Sequence, residues 1–161
     1  MTEAWPEPVA RVSAFLRESG AEARIEEFAE GTPTAQAAAD AVGCEPARIV
    51  KSLVFLCDGS PLVALVPGNR RADARKVAAA AGASRAHVAG PELVLEATGF
   101  EPGAVAPFPL PRIQHVLIDS SLLTHDLVWT GAGSPRHMAG LAPTELVRLA
   151  RARPVDLAAD D

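Results

Sequence analysis

Lys51 interrupts an apolar run, Ile49-Val50-Lys51-Ser52-Leu53-Val54-Phe55-Leu56-Cys57. The run has the composition of a strand, and strand side chains alternate between faces. Lys51 therefore shares a face with Leu53 and Phe55, while Val50, Ser52 and Val54 point the other way. An ammonium on an apolar face is costly unless it reaches water, an anion or a polar partner. Two readings follow. Either the side chain snorkels out at the strand end, or it stands at a cavity mouth, able to hold a phosphate or a developing oxyanion. In the second reading burial lowers its pKa from the usual ~10.4.

Two loops offer more. Gly99-Phe100-Glu101-Pro102-Gly103-Ala104-Val105-Ala106-Pro107-Phe108 combines glycine, where backbone can approach a ligand, with stiffening proline. Such a wall of N–H donors can bind an ester carbonyl or its oxyanion, although the same composition also makes ordinary turns. Thr130-Gly131-Ala132-Gly133-Ser134-Pro135-Arg136-His137 follows a strand. It lacks the Gly-Lys-Ser/Thr ending of a phosphate-binding loop and the third glycine of a dinucleotide fingerprint. Ser134 and His137 invite a nucleophile–base pairing, but no nucleophile elbow surrounds Ser134, which argues against a serine hydrolase. None of His87, His115, His125 and His137 pairs with Cys, Asp or Glu at metal-ligand spacing, so neither a metal nor a cofactor is expected. His87, His115 and His125 read as structural or surface histidines.

The elements that must position these groups follow from periodicity and punctuation. Val9, Val12, Phe15 and Leu16 mark a helix over 7–19 closed by Gly20. Ile25 and Phe28 mark a short strand. Thr34 caps a helix from Ala35 to Val42, stopped by Gly43. Residues 49–57 are a strand, Asp58-Gly59 a hairpin turn, and Leu62–Val66 the returning strand. Asp73 caps a helix to Ala81, and Pro91–Ala97 is another, ended by Gly99. Residues 99–111 read as a loop with a short extended piece at Val105. Strands follow at 116–118 and 127–130, then a glycine-containing loop over 131–140, a helix over 143–151 and a terminal strand near Val155. Helices and strands interleave with hairpins, which predicts an α/β (mixed α+β) fold: a curved mixed sheet surrounded by helices. One domain over 1–161 is expected, with the tail fraying from about residue 158.

Composition excludes several classes. Charged residues are 22% and hydrophobic ones 48% of 161 residues, the balance of a folded domain. No apolar run approaches the ~20 residues of a membrane span, and the start has no leader pattern. Cys44 and Cys57 form no disulfide framework, so reduced thiols and a cytoplasmic location are expected. The net charge of −5 argues against avid, nonspecific RNA binding. Two basic groups, Arg70, Arg71, Arg75, Lys76 and Arg85, then Arg136, Arg148, Arg151 and Arg153, are either solvated faces or local phosphate patches.

Taken in order, Thr32-Pro33-Thr34-Ala35-Gln36-Ala37-Ala38, Arg48–Phe55, Thr98-Gly99-Phe100 with Gly103-x-x-x-Pro107-Phe108, Ile118-Asp119 and the Gly131–His137 loop resemble the YbaK/EbsC (ProX) family. That family is related to the editing domain of bacterial prolyl-tRNA synthetases. The resemblance runs from about Arg11 to Arg151. It implies a freestanding deacylase that hydrolyses mischarged aminoacyl-tRNA of the Ala, Cys, Ser or Thr type, with tRNA-Pro among the carriers, and a synthetase among the partners. It implies that Lys51, Gly103 and His137 are catalytic. It places Thr32, Thr34, Ser52, Ala104, Val105, Ala106, Pro107, Phe108, Gly131, Gly133 and Ser134 around the substrate's acceptor end. Ala104 stands where many relatives carry a second glycine, and Ala106 where many carry serine, so a narrower pocket and a lost hydroxyl contact are expected. Two other readings use the same residues: a catalytically silent module that binds tRNA or an amino acid, and a subunit that docks on a synthetase.

Overall fold

The computed structural model describes residues 5–160. Eight strands form one mixed sheet in the order β1-β7-β6-β2-β3-β5-β8, with β4 paired to the other part of β2. The strands are β1 (Ala23–Glu27), β2 (Ile49–Cys57), β3 (Ser60–Pro67), β4 (Ala86–Val88), β5 (Val116–Asp119), β6 (Val128–Ser134), β7 (His137–Leu141) and β8 (Ala152–Val155). Five helices surround them: α1 (Glu7–Glu18), α2 (Ala35–Val42), α3 (Ala74–Ala81), α4 (Pro91–Thr98) and α5 (Pro143–Ala150). The mixed, helix-wrapped sheet expected from the sequence is the one observed.

Alternation sorts the sheet into two apolar layers. Val50 and Val54 of β2, with Val63 and Leu65 of β3, face a core closed by Val12 and Leu16 of α1, Val94 of α4 and Leu146 and Leu149 of α5. Phe55, Leu62, Ala64 and Val66 face the other way, against Val77 of α3. Both faces of β3 are covered, which is why its sequence reads as a continuous apolar run. The β2–β3 turn places Asp58 at φ 49° and Gly59 at φ 85°, two positive values as a two-residue hairpin of type I′ requires.

The end of α2 that faces the candidate site is fixed by Thr34, whose hydroxyl accepts from the Ala37 N–H at 3.0 Å. Gly43, in the left-handed region, closes the helix. Thr34→Ala is expected to cost about 1 kcal/mol, the usual worth of such a cap, read as a lower urea midpoint at unchanged slope.

Two expectations are corrected. Residues 131–140 are not a loop. They complete a hairpin, β6 with β7, whose register shifts between Gly131 and Ser134. Their small residues have weak strand propensity, but packing overrides it: at Gly140 a Cβ would lie 2.9 Å from the Trp129 indole. β4 forms where no strand was expected, along the edge of β2.

The tail, expected to fray from about 158, is docked there by several contacts. Leu157 and Ala158 are buried, and both N–H groups donate to Asp119 Oδ1, at 2.8 and 3.0 Å. The Ala159 N–H donates to the Arg71 carbonyl at 2.7 Å, and Lys76 binds Asp156 and Asp160. The buried carboxylate supplies an anchor that composition does not reveal.

Candidate active site

The site opens where two parallel strands part. β2 and β6 pair only at Ile49↔Trp129 and Val50↔Thr130. The same edge of β2 is taken up again further on, where the Val54 carbonyl accepts from the Ala89 N–H at 2.9 Å and β4 pairs with 55–57. Between these points, at residues 51–53, that edge has no partner strand. The Gly103–Val105 loop wedges toward the gap. At Gly131 a Cβ would lie 3.0 Å from the Val105 carbonyl oxygen, so the side chain is absent where loop and strand meet.

A pocket of about 340 Å³ results. Its walls include Thr32, Thr34, Lys51, Ser52, Gly103, Val105, Gly131, Ser134 and His137, over an apolar floor that includes Ile49, Leu53 and Met138. Sequence positions 100 residues apart thus meet around one hollow. A larger hollow of about 720 Å³, lined by Phe15, Pro107, Phe108 and Arg148 among others, gathers none of Lys51, Gly103 or His137.

Lys51 is half-buried, and its Nζ donates to the Arg70 carbonyl at 2.6 Å. It neither snorkels freely nor pairs with a carboxylate. Burial, and then the positive charge of Arg71, lower its pKa. An ammonium carries three donors, so two remain for a ligand. Beside it, Ser52 Oγ is buried without a hydrogen-bond partner among the described residues. An unsatisfied buried hydroxyl costs about 1–3 kcal/mol.

Glu101-Pro102-Gly103-Ala104 is a reverse turn, closed by the Ala104 N–H to the Glu101 carbonyl at 3.0 Å. Proline at its second position and Gly103 at φ 83° at its third are the type II pattern. The turn consumes the Ala104 N–H. The N–H groups of Gly103 and Val105 donate to no protein acceptor among the described residues, and both residues line the pocket. Gly103→Ala is expected to cost about 1 kcal/mol from positive φ alone, since nothing lies within 4 Å of the added methyl. The check is a thermal melt.

His137 begins β7 and is 3% exposed. Its Nδ1 lies 2.5 Å from Ser134 Oγ, its Nε2 3.8 Å from Glu27 Oε2, and the Trp5 ring meets it edge-on. Burial lowers its pKa, and Arg136 adds to this, while Glu27 opposes them. Thr32 ties its loop to the β6–β7 turn, its N–H donating to the Pro135 carbonyl at 2.8 Å.

The remaining expected residues lie elsewhere. Ala104 and Ala106 are buried, at 3% and 0% exposure, and neither lines the pocket. Phe108 stacks on Phe15, Pro107 lines the larger hollow, and Gly133 backs onto Pro8 at the start of α1. Glu27 and the Arg70 carbonyl were not foreseen. Glu27 is one of several acidic residues in its strand, and no local pattern marks a carbonyl as a lysine anchor. No group of three or more His, Cys, Asp or Glu that could hold a metal occurs among the described residues, and no described helix is long and apolar enough to cross a membrane.

Residues 29–149 match the family model described as the aminoacyl-tRNA editing domain. YwhH of Bacillus subtilis is 34% identical over 123 residues, covering 76% of this chain and 78% of YwhH. EbsC of Enterococcus faecalis, named as a candidate Cys-tRNA(Pro)/Cys-tRNA(Cys) deacylase, is 25% identical over 76% of this chain and 75% of its own. The crystal structure of a candidate trans-editing enzyme for prolyl tRNA synthetase superposes with a TM-score of 0.91 at 34% identity, over 98% of this chain and 100% of the other.

Proposed function

The chain belongs to the aminoacyl-tRNA editing domain family, and on that premise we propose that it hydrolyses the ester of mischarged tRNA carrying a small amino acid, of the Ala, Cys, Ser or Thr type, with tRNA-Pro among the carriers. The observation that carries this reading is the convergence of Lys51, Gly103, Val105 and His137 on one pocket. The whole chain acts as one such domain. It works in the cytoplasm on the acceptor end of the tRNA, beside the synthetase that made the error.

An aminoacyl ester is already activated, so positioning and charge stabilisation supply most of the catalysis. The Gly103 and Val105 N–H groups point at the carbonyl oxygen, where negative charge develops as water adds. Lys51, held by the Arg70 carbonyl, places its two spare donors on that oxyanion or on the terminal phosphate. Arg71, exposed on the same side, adds positive potential for the acceptor strand. A volume of about 340 Å³ lies at the small end of ligand pockets, roughly 300–1,000 Å³, which favours short side chains.

Release of the amino acid must leave the nucleic acid whole. Incubating the protein with alanyl-tRNA is expected to yield free alanine and a tRNA that a synthetase can recharge in full. A shortened 3′ end, or release no faster than in buffer from the Ala, Cys, Ser and Thr esters alike, would overturn the reading.

A further inference from the structure

We propose that Ser134, His137 and Glu27 form a proton relay in which the Ser134 hydroxyl meets the attacking water and His137 stores its proton. The proposal rests on the deacylase reading and adds to it a base of the protein's own. Its starting point is hydrogen-bond bookkeeping. Ser134 Oγ accepts from the Arg136 N–H at 3.0 Å and lies 2.5 Å from His137 Nδ1. With that lone pair taken by the backbone, the hydroxyl proton is free to donate, and the acceptor within reach is Nδ1. If Nδ1 carried the proton instead, Ser134 Oγ would accept twice and its own hydrogen would have no protein partner among the described residues. In the relay the imidazole is the tautomer protonated at Nε2, and Nε2–H faces the Glu27 carboxylate at 3.8 Å, a charge contact longer than a hydrogen bond.

This ordering matters because a buried imidazole whose Nδ1 is occupied is not itself open to water. Ser134 Oγ occupies that nitrogen, and both residues line the pocket. As the water oxygen bonds to the ester carbon, its proton passes to Ser134 Oγ while the Ser134 proton passes to Nδ1, and the carbonyl electron pair moves onto the oxygen held by the Gly103 and Val105 N–H groups. The imidazolium is stabilised by Glu27. On collapse the bond from carbon to the ribose oxygen breaks, and the proton returns from Nδ1 through Ser134 to that oxygen. The amino acid and the free tRNA hydroxyl leave, and the relay is restored. The charged groups around the imidazole are Glu27 on β1, Arg136 in the turn and Lys51 across the pocket. Of these Glu27 favours the charged ring and Arg136 disfavours it.

The test is single-turnover deacylation against pH for the wild type, Ser134→Ala, Ser134→Thr and Glu27→Gln, with the imidazole nitrogens of His137 followed by ¹⁵N NMR. Ser134→Ala is expected to lose about 100-fold in the chemical step, the worth of a general base, with binding little changed, and Ser134→Thr to recover most of it. The wild-type rate should fall at acid pH as His137 takes a proton, and in Glu27→Gln that limb should move to lower pH. A full rate in Ser134→Ala, an unmoved limb in Glu27→Gln or an acyl-Ser134 trapped by hydroxylamine would overturn the relay. A wild type inert toward every ester would overturn the deacylase reading instead. The relay would then be decided by NMR, an unprotonated Nδ1 for it and a protonated Nδ1 against it.

Discussion

Asp119→Ala should destabilise the protein by about 3 kcal/mol, the cost of leaving buried donors that served a charged acceptor without a partner. The Asp119 carboxylate is 3% exposed. It accepts from the N–H groups of Leu157, Ala158 and Ser121 at 2.8, 3.0 and 3.2 Å, and from the Ser121 hydroxyl. Burial alone would raise its pKa, but the bonds from Ser121, Leu157 and Ala158 together outweigh burial and lower it. The stabilisation is therefore present above the unfolded value, near 3.9, and lost as pH falls through the lower folded value. Urea titrations of wild type and variant should differ most near neutrality and converge as pH falls through the lowered folded value. A gap that persisted unchanged into acid would mean that the carboxylate charge is not what holds the tail.

The same substitution reaches the pocket. Asp119 pins Ala158, the Ala159 N–H holds the Arg71 carbonyl, Arg70 Nη2 donates to the Ala159 carbonyl at 2.7 Å, and the Arg70 carbonyl holds Lys51. The lysine is thus steadied from the C-terminal tail beyond β8. Asp119→Ala should slow deacylation even where the variant is fully folded.

Lys51→Ala is expected to lower the single-turnover rate by about 10²–10³-fold, the range for removing one preorganised donor from an oxyanion. Lys51 is half-buried at the pocket wall, so its truncation should leave the fold intact by circular dichroism. Lys51→Arg should rescue poorly, because a planar fork does not reproduce a point charge held by one carbonyl. The ammonium is needed, so activity should fall as pH rises through the lowered Lys51 pKa, at lower pH than for an ordinary lysine. Arg71→Ala removes one cause of that lowering and should move the alkaline limb upward. A limb unmoved in Arg71→Ala would assign it to another group.

Much of this was legible in the residues. A lysine in an apolar strand announced itself because alternation left it nowhere cheap to go, and the structure sets it beside the gap where β2 loses its neighbour. Caps at Thr34 and Asp73 and stops at Gly43 and Gly82 were readable because their chemistry is local. The β6–β7 hairpin was not, since Gly131-Ala132-Gly133 carries no strand signal of its own and gains its form from α1 and Trp129. Family motifs also mark structure as well as site. Ala104, Ala106 and Phe108 sit in the motif that forms the pocket wall, yet their side chains fill the core behind it. Glu27 and the docked tail depend on contacts across 110 residues or 39, which no window of sequence displays.

The most direct test of the central claim is the decay of labelled Ala-, Cys-, Ser-, Thr- and Pro-tRNA with the wild-type protein in excess. The account predicts that at least one small, noncognate ester is lost far faster than in buffer, while correctly paired prolyl-tRNA persists. Uniform decay of all five at the buffer rate would contradict it, and would leave the pocket as a binding site without hydrolysis.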